Sequence, residues 1–471
     1  MSSAVVVGSG PNGLAAAAML ASRGVEVTVI EAADTIGGGT RSSELTVPGL
    51  LHDEHSATHP MAVSSPAVVS AGLELERHGL EWLWPEVDLA HPLDGGRGAT
   101  MLRSIEATAA GLGEAGRRWK RIFGSPSAAY DKLTEDIYHP LVHAPRHPLR
   151  LARFGMRAAA PATVLARTLG TPEAAALFGG VAAHSYADLS RPLSSAIGMA
   201  LVCSGHAYGW PVAKGGSIAL AKAWASVIRE HGGRIETGRR VDSLAELPSV
   251  DVVLLDLSPD GVLRLAGDRL PRRSAVAYRR YKYGPAAFKL DLAVEGGVPW
   301  EMEAARRAGT VHVIGSFEEL VHAEAEINRG RMPERPFVLV GQQYLADPGR
   351  SKGDLHPVWA YAHVPNGYRS DATETVLDQI ERFAPGTRER IVARAVTNPA
   401  AVEAANANLV GGDILTGANT PLQMVFRPRP APVPYWTGIP GVFICSAATP
   451  PGAGAHGICG FNAAEAALRT L

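Results

Sequence analysis

At 471 residues, with 46% hydrophobic residues, 19% charged residues and a net charge of −1, the chain is long enough for two domains or one elaborated α/β domain. Its near-neutral charge argues against a nucleic-acid partner. Three cysteines (Cys203, Cys445, Cys459) without a CxxC pair argue against a disulfide framework or a structural metal and for a reducing compartment. The first strand is entered by Ala4 with no basic leader, so the expected location is the cytoplasm. Between Pro192 and Ala213 only Ala196 to Cys203 is a compact apolar run, too short to span a bilayer.

The chain opens on Val5-Val6-Val7-Gly8-Ser9-Gly10-Pro11-Asn12-Gly13, a glycine triplet between an apolar strand and an alanine-rich helix. Gly8 permits the tight turn, Gly10 lets the backbone approach a pyrophosphate, and Gly13 lets the helix pack closely on the sheet. The phosphates would lie at the positive end of that helix. A second strand, Val25 to Ile30, ends in Glu31, at the distance where an acid accepts ribose hydroxyls. Gly111-Leu112-Gly113-Glu114-Ala115-Gly116 has the same glycine spacing but follows a helical stretch, so it reads as a turn between helices.

Only five residues beyond Glu31, Ile36-Gly37-Gly38-Gly39-Thr40-Arg41-Ser42 forms a second glycine-rich turn, which suits the longer flavin dinucleotide, FAD. From about Ser65 to Ala200 the patterns are mostly helical and broken by proline, as in an inserted domain. Within them Arg146, Arg150, Arg153 and Arg157 recur at helical spacing with no acid from Pro140 to Arg167. That face is either solvated or ion-paired, or it touches anionic lipid as a peripheral membrane contact while an apolar substrate enters.

An amphipathic helix is expected from Ser217 to His231, stopped by Gly232-Gly233 and followed by strands at Arg234–Thr237 and Val252–Leu255. Strands Phe288–Val294, Val311–Ile314, Phe337–Val340 and Val358–His363 predict a mixed sheet. A helix over Ala372–Phe383 would lie on it, with Asp371 and Glu374 as a capping box. Pro430 to Ala464 carries no Asp, Glu, Lys or Arg across 35 residues and is punctuated by proline and glycine, as in a buried turn-rich segment.

These motifs, with Pro211 to Gly216, Gly411-Gly412-Asp413 and Gly441 to Gly457, resemble the phytoene-desaturase-like FAD-dependent oxidoreductases of the amine-oxidase superfamily over nearly the whole chain. The middle, with Leu149 to Gly155 and Ala182 to Ser185, is most similar to the pyridine nucleotide-disulfide oxidoreductase domain-containing branch. The resemblance implies an α/β fold, a Rossmann-like FAD-binding domain of the amine-oxidase/glutathione-reductase type with an inserted α+β substrate domain. Residues 1–64, 205–268 and 409–471 would form the discontinuous FAD-binding domain, and 65–204 and 269–408 the substrate or cap domain.

It further implies cofactor contacts from Gly8, Gly10, Pro11, Asn12, Gly13, Glu31, Gly37, Gly38, Thr40, Arg41, Val241, Ser446, Pro451, Gly452, Gly454 and Gly457. The C-terminal turn would run under the flavin and open a helix near His456-Gly457 whose positive end stabilises the reduced ring. The usual three-glycine run is Gly452-Ala453-Gly454 here.

Lys289, a charge inside an apolar strand beside Asp291, must find a partner. By resemblance it would hold a water near the flavin; the other reading is an edge lysine reaching solvent. His456, after the flavin-facing turn, is the second catalytic candidate, whereas His184 and His206 read first as structural histidines. Covalent flavin attachment would fall to Cys445, Cys459, His55 or His59. No second strand-linked glycine fingerprint or redox cysteine pair points to an NAD(P)H domain.

The function expected is removal of hydride from a carbon of a largely apolar small molecule, with reoxidation by oxygen, a quinone or another carrier. A flavin amine oxidase is the first rival, for which Tyr435-Trp436, Tyr361 and Trp210 are candidate aromatic flanks. The second rival is a flavoprotein using FAD structurally or in a redox-neutral isomerisation through a protein partner.

Overall fold

The computed structural model describes residues 2–471. Val5, Val6 and Val7 stand at the centre of a five-stranded sheet, because a parallel strand covered on both faces needs a continuous apolar run. Strand Ser3–Val7 pairs with Glu26–Ile30 on one side and Val252–Leu255 on the other, and Arg234–Glu236 and Val442–Ile444 form the edges. Every pairing is parallel, so three distant stretches of chain build one sheet. Helices Pro11–Ser22, Ile218–Glu230 and Ile458–Leu468 pack on one face through Leu14, Trp224, Val227 and Ala464. Val262, Leu265 and Tyr278 cover the other.

A seven-stranded sheet has the order Ile391–Thr397, Ala286–Glu295, Leu355–Val364, Val338–Gly341, Ala308–Val313, Val87–Pro92, Gly98–Met101. All its neighbours are antiparallel except Ala308–Val313 with Val87–Pro92. The four expected strands are present. Three others were not foreseen: Val87–Pro92 and Gly98–Met101, inside the stretch read as helical, and Ile391–Thr397.

Alternation along these strands separates two chemistries. Phe288, Leu290, Val311, Val338, Val340 and Ala360 share a core with Val376, Ile380 and Phe383 of helix Thr373–Phe383. The other face carries Lys289, Asp291, Thr310, His312, Trp359, Tyr361 and His363, all buried. Register sets Thr397, Lys289, Tyr361, Leu339 and His312 side by side in one row. One step past the Val311–Ala90 pair, His91 extends it.

Two local expectations are settled by capping. The N-cap of Thr373–Phe383 is Ala372, and the Asp371 carboxylate accepts from the Thr373 amide at 2.8 Å while Glu374 binds Arg388 and Arg394. The expected Asp371/Glu374 box is therefore absent; the structure places a capping box at Ser316 and Glu319 instead, at the head of Phe317–Asn328. Gly113–Ala115 is a short turn between helices Ile105–Gly111 and Gly116–Ala128, as the rejection of that glycine spacing required.

Candidate functional site

The first glycine loop is shaped by collisions that side chains would cause. Gly8 adopts φ +100°, and its amide donates to Ile30 O at 2.8 Å. A Cβ on Gly10 would stand 2.5 Å from Asp256 Oδ2, and one on Gly13 would overlap Gly8 O. The second glycine turn leans on the first: a Cβ on Gly38 would lie 3.0 Å from Gly10 Cα. Thr40 donates to Gly37 O at 2.7 Å and closes that turn.

Glu31 is held at the end of its strand by the Ser9 amide (2.8 Å), the Ser9 hydroxyl (2.5 Å) and the Ala33 amide (2.8 Å). Arg41 lies 3.9 Å from it and donates to Thr35 O. Pro11 opens the cradle helix at a position where the missing amide is harmless. Asp256, at the end of the neighbouring strand, accepts from the Gly13 amide at 3.0 Å. Burial raises its pKa to about 7 against the pull of the Gly13 amide, and the nearby Glu31 charge pushes the same way.

At the other end of the chain, Gly452 (φ +115°), Gly454 (φ +134°) and Gly457 (φ +69°) take the conformations that need glycine, while Ala453 does not. The Gly-Ala-Gly sequence therefore satisfies the backbone. Helix Ile458–Leu468 then crosses the cradle helix at Gly460, where a Cβ would overlap the Asn12 carbonyl. Two helix N-termini thereby converge on one region, a double positive field for an anionic ligand.

Two cavities meet between these elements. The first, about 250 Å³, is walled by Gly10, Pro11, Asn12, Gly39, His55, Asp256, Ser446, Gly454, Trp359 and Tyr361. The second, about 370 Å³, is mostly apolar, with Met61, Leu151, Phe154, Leu193, Ile197, Leu201 and Met424, and adds Tyr138, Trp210, Asn419, Arg427, Pro451 and His456. Ser56, Thr58, His184, Leu415 and Ala453 to Ala455 wall both. The glycine cradle, the unshielded helix ends and the fixed Glu31 fit a dinucleotide that reaches toward the apolar cavity.

Among the residues expected from the sequence, Gly10, Pro11, Asn12, Ser446 and Gly454 thus face one cavity, and Pro451 and His456 face the other. Gly8, Gly13, Glu31, Gly37, Gly38, Thr40 and Arg41 stand behind the cradle wall, and Gly457 is packed against Ala15 and Trp224. Val241 lies in the core with Val5, Val7 and Ile30 and walls neither cavity. The His456 ring accepts from the Ile458 amide at 3.1 Å and stacks on Tyr138. Burial lowers its pKa to about 4.

Lys289 reaches neither cavity nor solvent: it is 3% exposed and its ammonium is paired with the Asp291 carboxylate. The solvent-reaching reading of Lys289 is thereby corrected, because its strand is central rather than an edge. Tyr435 bonds Pro450 O and Asn462 and, like Trp436, lies away from both cavities. The aromatic pair on the first cavity is instead Trp359 and Tyr361, with ring centres 4.9 Å apart and planes at 85°. The thiols of Cys445 and Cys459 are buried, and burial raises both pKa values. Sequence reasoning missed Asp256 as a wall of the cradle; its signal was an acid directly after the apolar run Val252 to Leu255.

The comparisons agree with this geometry. A family signature described as an NAD(P)-binding Rossmann-like domain matches residues 6–69. The rat and mouse proteins called pyridine nucleotide-disulfide oxidoreductase domain-containing protein 2 are each 24% identical, over 99% of this chain and 93% of theirs. An oxidoreductase from Methanosarcina mazei superposes with a TM-score of 0.66 at 14% identity, over 99% of this chain and 100% of its own. Cyclohexylamine oxidase from Brevibacterium oxydans gives 0.58 at 15% identity, over 99% of both. A putrescine oxidase with putrescine bound gives 0.56 at 16%, over 100% and 98%. With its Rossmann-like dinucleotide cradle and amine-oxidase-type fold, the chain is similar, over 99% of its length, to the pyridine nucleotide-disulfide oxidoreductase domain-containing proteins.

Proposed function

We propose that the protein is an FAD-dependent oxidoreductase that removes hydride from a carbon of a largely apolar small molecule, in the manner of a desaturase or dehydrogenase. The observation that carries this reading is the junction of the two cavities: the dinucleotide cradle opens, across His184 and Ala453 to Ala455, onto an apolar cavity of about 370 Å³. FAD, when bound, supplies the hydride acceptor. The chain's own part is to hold the adenosine end with Glu31, set the pyrophosphate on the Gly8–Gly13 loop, and aim the head of helix Ile458–Leu468 at the far end. Leu151, Phe154, Ile197 and Leu201 keep water from the substrate.

The amine-oxidase reading is supported by the Trp359–Tyr361 pair. It is weakened by the apolar cavity itself, whose walls hold Arg427 and no carboxylate to pair an ammonium. The three buried free cysteines fit a reducing compartment such as the cytoplasm. The reoxidant is oxygen, a quinone or another carrier.

The substrate entrance reads as a lipid-facing surface. Leu141, Val142, Leu149, Met156, Leu422 and Phe426 are exposed on segments whose inner residues wall the apolar cavity. The four arginines do not form one free face: Arg146 pairs with Glu135, and Arg157 donates to Ile122 O and Arg121 O. Arg150 and Arg153 remain exposed on helix Pro148–Ala158 for anionic headgroups.

The purified protein should show the absorbance of bound flavin, and anaerobic addition of an apolar alcohol or alkene should bleach it. A preparation that takes up no FAD under any reconstitution condition overturns the reading.

A further inference from the structure

Arg427 is a buried cation that the expected chemistry does not use. It follows helix Pro421–Phe426 and is 2% exposed, and among the described residues no carboxylate is paired with it. Its Nη2 donates to Asn419 Oδ1 at 2.6 Å, and Asn419 is itself held by donating to Ser185 O at 2.9 Å. Nε is buried without a partner. Nη1 lies beside Gly452, 2.5 Å from where a Cβ would stand, and makes no hydrogen bond among the described residues. Arg350, buried as deeply, is flanked by Asp53 and Asp347.

A guanidinium keeps its charge throughout the working pH range, so burying one without a counter-charge is costly, and most of this one's N–H fork is unused. Asp413 is the acid whose charge reaches Arg427, but its oxygens are taken by the amides of Gly284 (2.7 Å), Leu415 (2.9 Å) and Gly417 (2.8 Å). Burial raises the Asp413 pKa, and those amides and Arg427 pull it back only in part. Arg427 walls the apolar cavity and not the first, and among the described residues no other Asp, Glu, Lys or Arg lines that cavity. Burial lowers the pKa of His59 and His456 to about 4 and of His184 to about 3, and lowers that of His139 as well, so the guanidinium is the standing charge of the cavity. The missing counter-charge belongs to whatever enters it.

We propose that Arg427 anchors a carboxylate on the substrate, which makes the molecule taken up a carboxylic acid with a hydrocarbon body. The inference rests on the oxidoreductase reading for the identity of the apolar cavity as the substrate site. A carboxylate presents two oxygens to the planar fork, and its single charge matches the single cation. A phosphate monoester carries up to about two charges and calls for a second cation that the wall does not supply. An ammonium would face a like charge. Leu151, Phe154, Ile197 and Leu201 receive the hydrocarbon, and Arg427 is the specificity-determining residue.

Calorimetric titration of the purified protein with n-decanoate, methyl decanoate, n-decylamine and n-decyl phosphate reads the anchor directly. Decanoate should bind about tenfold or more tightly than its methyl ester, with decylamine weakest. Arg427→Gln should bind acid and ester equally with unchanged flavin absorbance, and Arg427→Lys should keep part of the preference through charge without the fork. Should neither variant fold, the wild-type ranking is itself decisive: equal affinity for acid and ester, or decyl phosphate bound more tightly than decanoate, overturns the proposal. Flavin lost from Arg427→Gln while the acid preference persists would assign the guanidinium to the cofactor and overturn it too. A protein that takes up no FAD yet prefers decanoate keeps the anchor and loses the oxidoreductase reading, whereas one that takes up FAD without that preference loses this inference alone.

Discussion

Asp256 shows how a single side chain couples the cradle to pH. Its carboxyl touches the space a Cβ would need at Gly10 and accepts from Gly13, so it is both wedge and acceptor at the phosphate loop. Its folded pKa of about 7 stands above the unfolded value of 3.8, so the stability associated with the neutral acid is present at low pH and lost as pH rises through 7. Between pH 5 and 9 the wild type should lose about 3 kcal/mol relative to Asp256→Asn, measured by denaturant unfolding at each pH. A bound pyrophosphate adds negative charge beside the same carboxyl and deepens the effect. Gly10→Val, driving a larger group into Asp256, is expected to lower FAD affinity at least tenfold in a flavin-titration assay, with the fold retained by circular dichroism.

Between elements, the decisive contacts are a crossing and a buried ion pair. Gly460 lets helix Ile458–Leu468 ride on Asn12 of the cradle helix, so Gly460→Leu should destabilise the protein by about 3 kcal/mol or more and release flavin with it, measured by thermal unfolding and absorbance. Lys289→Met leaves the Asp291 carboxylate in the core with only the His52 ring, 3.4 Å away, beside it and should cost about 3–5 kcal/mol in denaturant unfolding. The double change Lys289→Met with Asp291→Leu should recover most of that loss, because a matched apolar pair needs no desolvation of charge.

At this scale the limits of sequence reading are plain. The cradle was legible because its motif lies in one short stretch, Gly8 to Glu31, within which the Gly8 amide meets Ile30 O and Ser9 meets Glu31. Strand Val87–Pro92 was not, because Asp88 and His91 look solvent-facing until one knows that the large sheet turns them toward a second layer. Lys289 was rightly seen to need a partner beside Asp291, but that its strand is central follows from Ile391–Thr397, which alternates half-buried and exposed residues and was not anticipated. The His91–His312 neighbourhood depends on register between strands more than 200 residues apart, and register carries no local signature.

In the whole molecule the two sheets are tied by charge as well as by packing. Arg350 binds Asp53 and Asp347 and donates to Ala213 O, while Asp53 also accepts from Ser42 and from the Ser217 amide at the head of a helix covering the small sheet. Outside that frame, no helix among the described residues is long and apolar enough to cross a membrane, and the proposed lipid contact rests on exposed apolar residues such as Leu149 and Met156 of helix Pro148–Ala158. Sedimentation with vesicles containing anionic lipid should carry down the wild type, more weakly at high salt. The double variant Leu149→Asp with Met156→Asp should stay in solution with unchanged flavin absorbance. Equal co-sedimentation of the variant would refute the lipid-facing assignment.

The crossing at Gly460 also sets an order of events during synthesis. The glycine loop is made long before its roof, helix Ile458–Leu468, and its sheet lacks an edge until Val442–Ile444 arrives. A nascent chain thus carries an unsealed dinucleotide cradle until Ile458–Leu468 has been made. A stop codon ahead of Ile458 would spare most of the fold and leave the glycine cradle without its roof, so a dinucleotide would be held there only from one side.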